Sequence, residues 1–167
     1  MNKAPLLFTL ICFVLYLTLR HFTGEIWISL LVFIPPVGLL ITNLALRKNL
    51  RYKSWFIRYL GFLLEKKEFT TNSTISTDLL FDKLLEIIQD SEFQLLDADK
   101  TSFSLLCGTS VNFWTWGENI YIQLEPGEGS TTHLQFVSTN LFGGSSWNRN
   151  TNNYSSFINS LEDSLTI

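Results

Sequence analysis

"ENIYIQLEPGEGSTTHLQFVSTN", residues 118–140, decides how the C-terminal part of this chain is read. Ile120, Ile122 and Leu124 take every second position of its first half. In its second half Leu134 and Phe136 alternate with His133, Gln135 and Val137. Successive side chains along a strand point to opposite faces, so each half predicts a strand with one buried face. Pro126-Gly127-Glu128-Gly129 between them is a turn signal. The stretch therefore reads as two neighbouring strands of an antiparallel meander.

Working outward, "TSFSLLCGT" (101–109) sets Phe103, Leu105 and Cys107 on one side, and "EFQLLDAD" (92–99) is a short run ending in an Asp-rich turn. "TDLLFDKLLEIIQDS" (77–91) changes period. Leu80, Leu84, Ile87 and Ile88 form a helical stripe with Phe81 beside it. Ser76 or Thr77 is the candidate N-cap, and Asp78 suits the first turn. Tyr154, Phe157, Ile158 and Leu161 repeat the helical spacing in a closing segment. "EFTTNSTIS" (68–76) reads as a first strand or a linker. The order strand, helix, about four strands, helix gives an α+β domain over 69–167, its helices covering one sheet face.

The chain begins differently. Pro5–Leu19 and Ile26–Leu46 are two uncharged apolar runs, about 22 and 31 Å long as helices, against a bilayer core of about 30 Å. They predict a transmembrane helical hairpin over 1–46, spanning about 5–22 and 26–46, with Pro35-Pro36 kinking the second span. No small-x-small cleavage pattern follows the first run, so it is read as uncleaved. Residues 1–68 hold nine basic and three acidic side chains, a surplus of six positive charges. Residues 69–167 hold three basic and twelve acidic, a surplus of nine negative charges. The acidic domain excludes a nucleic-acid surface. The basic segment 47–68 carries Arg47, Lys48, Arg51, Lys53, Arg58, Lys66 and Lys67 among aromatics, as a segment lying on anionic headgroups does. The same excess of Lys and Arg places the N-terminus and the C-terminal domain on the cytoplasmic side of a cytoplasmic membrane.

"GGSSWNRNTNNY" (143–154) crowds four asparagines around Trp147 and Arg149. Glycines release the chain from a strand, and Asn148 suits a left-handed turn position. Asn150 or Thr151 then caps the last helix. The competing reading makes Trp147, Arg149, Asn150 and Asn153 a polar recognition patch at a helix N-terminus. Gly143, Ser145, Trp147, Asn150, Asn153 and Phe157 are spaced as in small bacterial membrane-associated domains of unknown function. Those domains end in G-x-S-D-x-G-x-N-x-x-R-I-x-x-F or W-G-K-N-x-x-N-I, and the chain resembles them. Ser146 departs from the Asp of one pattern, and Asn148 from the Gly of both. The resemblance implies a small α+β domain and no defined activity.

Trp114 and Trp116 share a strand face and point the same way, toward the core, a ligand or lipid. No catalytic constellation is expected. His133 is the one histidine of the domain, without a placed nucleophile. Cys12 and Cys107 lack the spacing of a disulfide or metal framework, and Asp97, Asp99, Glu125 and Glu128 flank turns. No metal and no cofactor is expected. The sequence thus reads as a membrane-anchored, non-enzymatic binding or scaffolding protein whose partners are the lipid bilayer and a protein or lipid. The alternative is a lipid or small-ligand binding domain with a pocket lined by Trp114, Trp116 and Trp147.

Overall fold

The computed structural model describes residues 4–35, 37, 38, 41, 48–52, 65–110, 117–141 and 148–165. Its C-terminal part runs β1 (Lys66–Ser73), α3 (Thr77–Gln89), β2 (Gln94–Asp99), β3 (Ser104–Gly108), β4 (Glu118–Pro126), β5 (Thr132–Asn140) and α4 (Arg149–Leu165). The N-terminal part holds α1 (Ala4–Thr23), α2 (Ile26–Leu30) and a 3-10 turn, Leu31–Phe33.

The strands form one five-stranded sheet in the order β1-β5-β4-β3-β2, every pair antiparallel. The meander β2 to β5 follows the sequence reading. The residues before α3 resolve as a strand, and β1 closes the far edge against β5. In β4–β5, Leu124 stands opposite Leu134 and Ile122 opposite Phe136. Those residues, with Leu105 and Cys107 of β3, form one buried layer with Leu80, Phe81, Leu84 and Ile88 of α3 and Phe157 and Leu161 of α4. Both helices therefore cover the same face. Phe69 of β1 stacks on Tyr154 of α4 with ring centroids 4.0 Å apart, and Phe136 lies 5.0 Å from Phe157. Each fully buried Phe contributes about 1.5–3 kcal/mol of apolar burial.

On the second face the described residues form a smaller buried group. Leu106, Tyr121, Val137 and Leu141 are buried there, and Leu50 and Leu96 pack against them. A register shift between Leu95 and Asp97 bends edge strand β2. Phe103 closes the β2–β3 turn at φ 49°, an unusual conformation for a bulky residue. Its ring packs edge-on against Phe81, with centroids 5.9 Å apart.

At the start of α3, one of the two N-cap candidates takes that position. Ser76 occupies the N-cap of α3 without a side-chain hydrogen bond. Thr77 instead turns inward, its hydroxyl 3.1 Å from that of Thr132.

The transmembrane hairpin is overturned. Among the described residues no helix is long and apolar enough to cross a membrane. Within α1 the uncharged run is Pro5–Leu19, about 22 Å, and the last turn carries Arg20 and His21. The second run is not one continuous α-helix. α2 ends after five residues and passes into the 3-10 turn at Leu31. The two spans, the integral placement in a cytoplasmic membrane and the orientation derived from them are all withdrawn. What the N-terminal part does show is a tight reversal at Gly24 (φ 68°) and a set of exposed apolar side chains, among them Leu10, Phe13, Leu17, Phe22 and Trp27.

Candidate functional site

The buried layer under the helices is not apolar throughout. Along β4–β5 the paired residues run Leu124/Leu134, Ile122/Phe136, Ile120/Ser138, Glu118/Asn140. On α4 the face that carries Phe157 and Leu161 continues back to Asn153 and Asn150. One end of the core is therefore polar, and it meets the start of α4.

Glu118 anchors this end and is fully buried. One carboxylate oxygen lies 3.3 Å from Nε of Arg149, an ion pair whose N–H is not aligned as a hydrogen bond. The other accepts from the Thr109 hydroxyl, and that hydroxyl accepts the Glu118 N–H at 2.9 Å. The Thr109 N–H donates to the Glu118 carbonyl at 3.0 Å, closing the strand pair. A buried carboxylate requires such partners, because removing a charge from water costs several kcal/mol.

The asparagines form a second group. The Ser138 hydroxyl donates to Oδ1 of Asn150 at 2.8 Å and accepts from Nδ2 of Asn153 at 3.3 Å. Asn150 Nδ2 donates to the Glu65 carbonyl at 3.2 Å, and the Asn140 N–H reaches the same carbonyl at 3.3 Å. Lys67 Nζ donates to the Thr151 hydroxyl at 2.8 Å. The polar end thus ties β1, β4, β5 and α4 together.

Asn148 precedes α4 at φ 67°, the left-handed conformation expected of it. Its carbonyl accepts the N–H groups of Thr151 and Asn152, both at 3.0 Å. Asn150 is not a cap: it sits inside the helix and points into the sheet. Arg149, Asn150 and Asn153 come together, turned toward the protein's own interior. Trp147, Trp114 and Trp116 lie outside the described residues, as do Arg47, Lys53 and Arg58. Lys48 and Arg51 are exposed. Lys66 pairs with Glu68 at 3.0 Å.

The other polar candidates are also locally engaged. His133 Nδ1 contacts Asn72 Oδ1 across β1–β5. Asp99 accepts from the hydroxyls of Thr101 and Ser102, and these bonds hold its carboxyl below the usual 3.8. Asp97 accepts the Leu50 N–H at 2.9 Å. Cys107 is buried, and desolvation pushes its thiol up to about 12. Among the described residues no group of three or more His, Cys, Asp or Glu is placed to hold a metal ion.

Glu118, Thr109 and Ser138 were missed in the sequence. The signal was present for Glu118 and Ser138: each stands in phase with the buried residues of its own strand. A polar residue on the buried phase needs a partner, and Arg149, Asn150 and Asn153 are those partners. Neither a known protein family nor a curated protein matches the chain.

Proposed function

We propose that this chain is a non-enzymatic binding or scaffolding protein whose apolar N-terminal helices attach it to lipid, presenting the α+β domain beside that surface. The observation that carries the reading is the exposure of large apolar side chains on α1 and α2. Phe22 is 81% exposed and Trp27 76%, with Leu10, Ile11, Phe13, Val14 and Leu17 near half. Such a surface marks an interaction site, since water does not favour it. Arg20 and His21 close α1, and Lys48 and Arg51 are exposed further on. Cations beside apolar side chains suit anionic headgroups. Glu118 pairs with Arg149, Asn150 and Asn153 bond the Ser138 hydroxyl, and Asp99 accepts from its own turn, contacts that fix the fold. Among the described residues the layer between sheet and helices is filled by Phe81, Phe136 and Phe157; the three tryptophans of the small-ligand alternative lie outside them.

Flotation on a density gradient tests the reading. The full chain should rise with vesicles of phosphatidylcholine containing phosphatidylglycerol. A variant with Phe13→Ser, Leu17→Ser and Trp27→Ser should stay at the bottom while keeping its circular dichroism. A wild-type chain that stays at the bottom and is monodisperse without vesicles would overturn lipid attachment.

A further inference from the structure

From Leu10 to Leu19 helix α1 has no polar side. Its exposed residues there are Leu10, Ile11, Phe13, Val14, Leu15, Leu17 and Thr18. At about 100° per residue the apolar ones sweep about 200° of the circumference, from Phe13 round to Leu15. That is roughly twice the stripe of a helix with one wet side. Thr18 falls inside this arc, and its hydroxyl donates to the Val14 carbonyl at 2.8 Å, within the helix itself. The rest of the circumference belongs to Cys12, Tyr16 and Leu19, which are buried or half-buried. Tyr16 packs on Phe33 with ring centroids 5.7 Å apart. Arg20 and His21 follow only in the last turn.

A helix resting on headgroups keeps a polar side toward water. Between Leu10 and Leu19, α1 has none to turn there. We infer that α1 is a wedge: it lodges side-on among the acyl chains of one leaflet, without crossing, and so takes strongly curved bilayers over flat ones of the same lipid. The wedge rests on the lipid attachment proposed above and adds its depth and the bilayer shape it fits. A helix is about 10–12 Å across, and half of a hydrocarbon core of about 30 Å offers it about 15 Å. One leaflet therefore takes α1 whole, while its uncharged run, about 22 Å long, is too short to cross. Lodged there, α1 spreads one leaflet and leaves the other unchanged. The outer leaflet of a small vesicle is already spread by its curvature, so entry there needs less work. Arg20 and His21, at the end of the helix, reach back to the headgroup phosphates.

Depth is tested with a fluorophore on Phe13→Cys or on Leu15→Cys, positions about 160° apart around the helix. Each is placed in the full chain with Cys12→Ala. Cys107 is buried, with its thiol pushed up to about 12, and stays unlabelled. On vesicles of phosphatidylcholine and phosphatidylglycerol, lipids carrying a nitroxide on the acyl chain should quench both positions alike. Quenching at one position alone would overturn the wedge and leave lipid attachment standing. Flotation tests the shape preference. Small sonicated vesicles should carry half of the wild-type chain at severalfold less lipid than large extruded vesicles of the same composition. Equal requirements would overturn the preference for curvature. A chain that floats with neither vesicle and keeps both fluorophores unquenched would remove lipid attachment itself, and the wedge with it. A dimer by sedimentation in that case would make a second copy the occupant of this surface.

Discussion

Replacing Arg149 by methionine asks whether the conspicuous asparagine-rich stretch serves the fold or an outside partner. Methionine keeps much of the stem and removes the charge. Glu118 has none of its side chain in water, while Arg149 keeps 33% of its own exposed. An exposed ion pair contributes about 0–1 kcal/mol, whereas breaking a buried one costs about 3–5 kcal/mol. With one partner buried and the other partly wet, Arg149→Met should cost about 2–3 kcal/mol. The Thr109 hydroxyl still donates to Glu118 and limits the loss. Glu118→Met should cost less, about 1 kcal/mol, because the freed guanidinium turns to water. The double replacement should then be about as stable as Glu118→Met alone, a non-additivity of about 2–3 kcal/mol. Urea unfolding followed by far-ultraviolet circular dichroism reads all four proteins. With an m-value of about 1–2 kcal/mol/M, Arg149→Met should lower the midpoint by about 1–3 M. An unchanged midpoint for Arg149→Met, with strict additivity in the double variant, would refute the reasoning. The guanidinium would then be free for recognition, as the competing reading of the sequence holds.

Three further outcomes follow from other residues. Asn148→Ala should cost about 1 kcal/mol and Asn148→Gly almost nothing, since only the left-handed φ of 67° is at stake; thermal unfolding separates the two. Asn150→Ala should cost about 2 kcal/mol, because it takes the acceptor from the Ser138 hydroxyl and removes one donor to the Glu65 carbonyl, and hydrogen exchange should show the start of β1 loosening first. The Asp99 carboxyl, held down by Thr101 and Ser102, stabilises its turn above the unfolded value near 3.8, and this contribution is lost as pH falls through the lower folded value. An NMR titration should place its inflection below 3.8, and Thr101→Val should raise it toward that number.

What was legible in the sequence was periodic. The alternation in β3, β4 and β5 and the helical stripes of α3 and α4 mark the buried side chains directly, because burial imposes the period. Asn148 was legible for a different reason: few residues tolerate the left-handed turn. The misreadings come from features that no period encodes. The apolar N-terminal runs matched a bilayer in hydropathy, but the second breaks its α-helix at Leu31, and a window of composition does not record hydrogen-bond pattern. Glu118 stands on the buried phase of β4, but its partners were hidden, because Thr109 and Arg149 lie 9 and 31 residues away in the chain and only the sheet brings them together. Asn150 was read as a cap from its neighbours, when its contacts are the distant Ser138 and Glu65.

The bond pattern around Glu65 bears on how the domain carries tension. A pull on the chain directly before β1 enters the sheet at the first residue of that strand. Lys66 pairs with Thr139 and Ser73 with Thr132, so β1 would peel from β5 one rung at a time, beginning at Thr139. Such unzipping loads bonds singly and yields at low force. Before the first rung, however, the load meets the Glu65 carbonyl, gripped by the Asn140 N–H and by Asn150 Nδ2. Lys67 adds a tie to Thr151 of α4 just behind it. The asparagine cluster is thus a rivet at the point where a tether would tear the domain open.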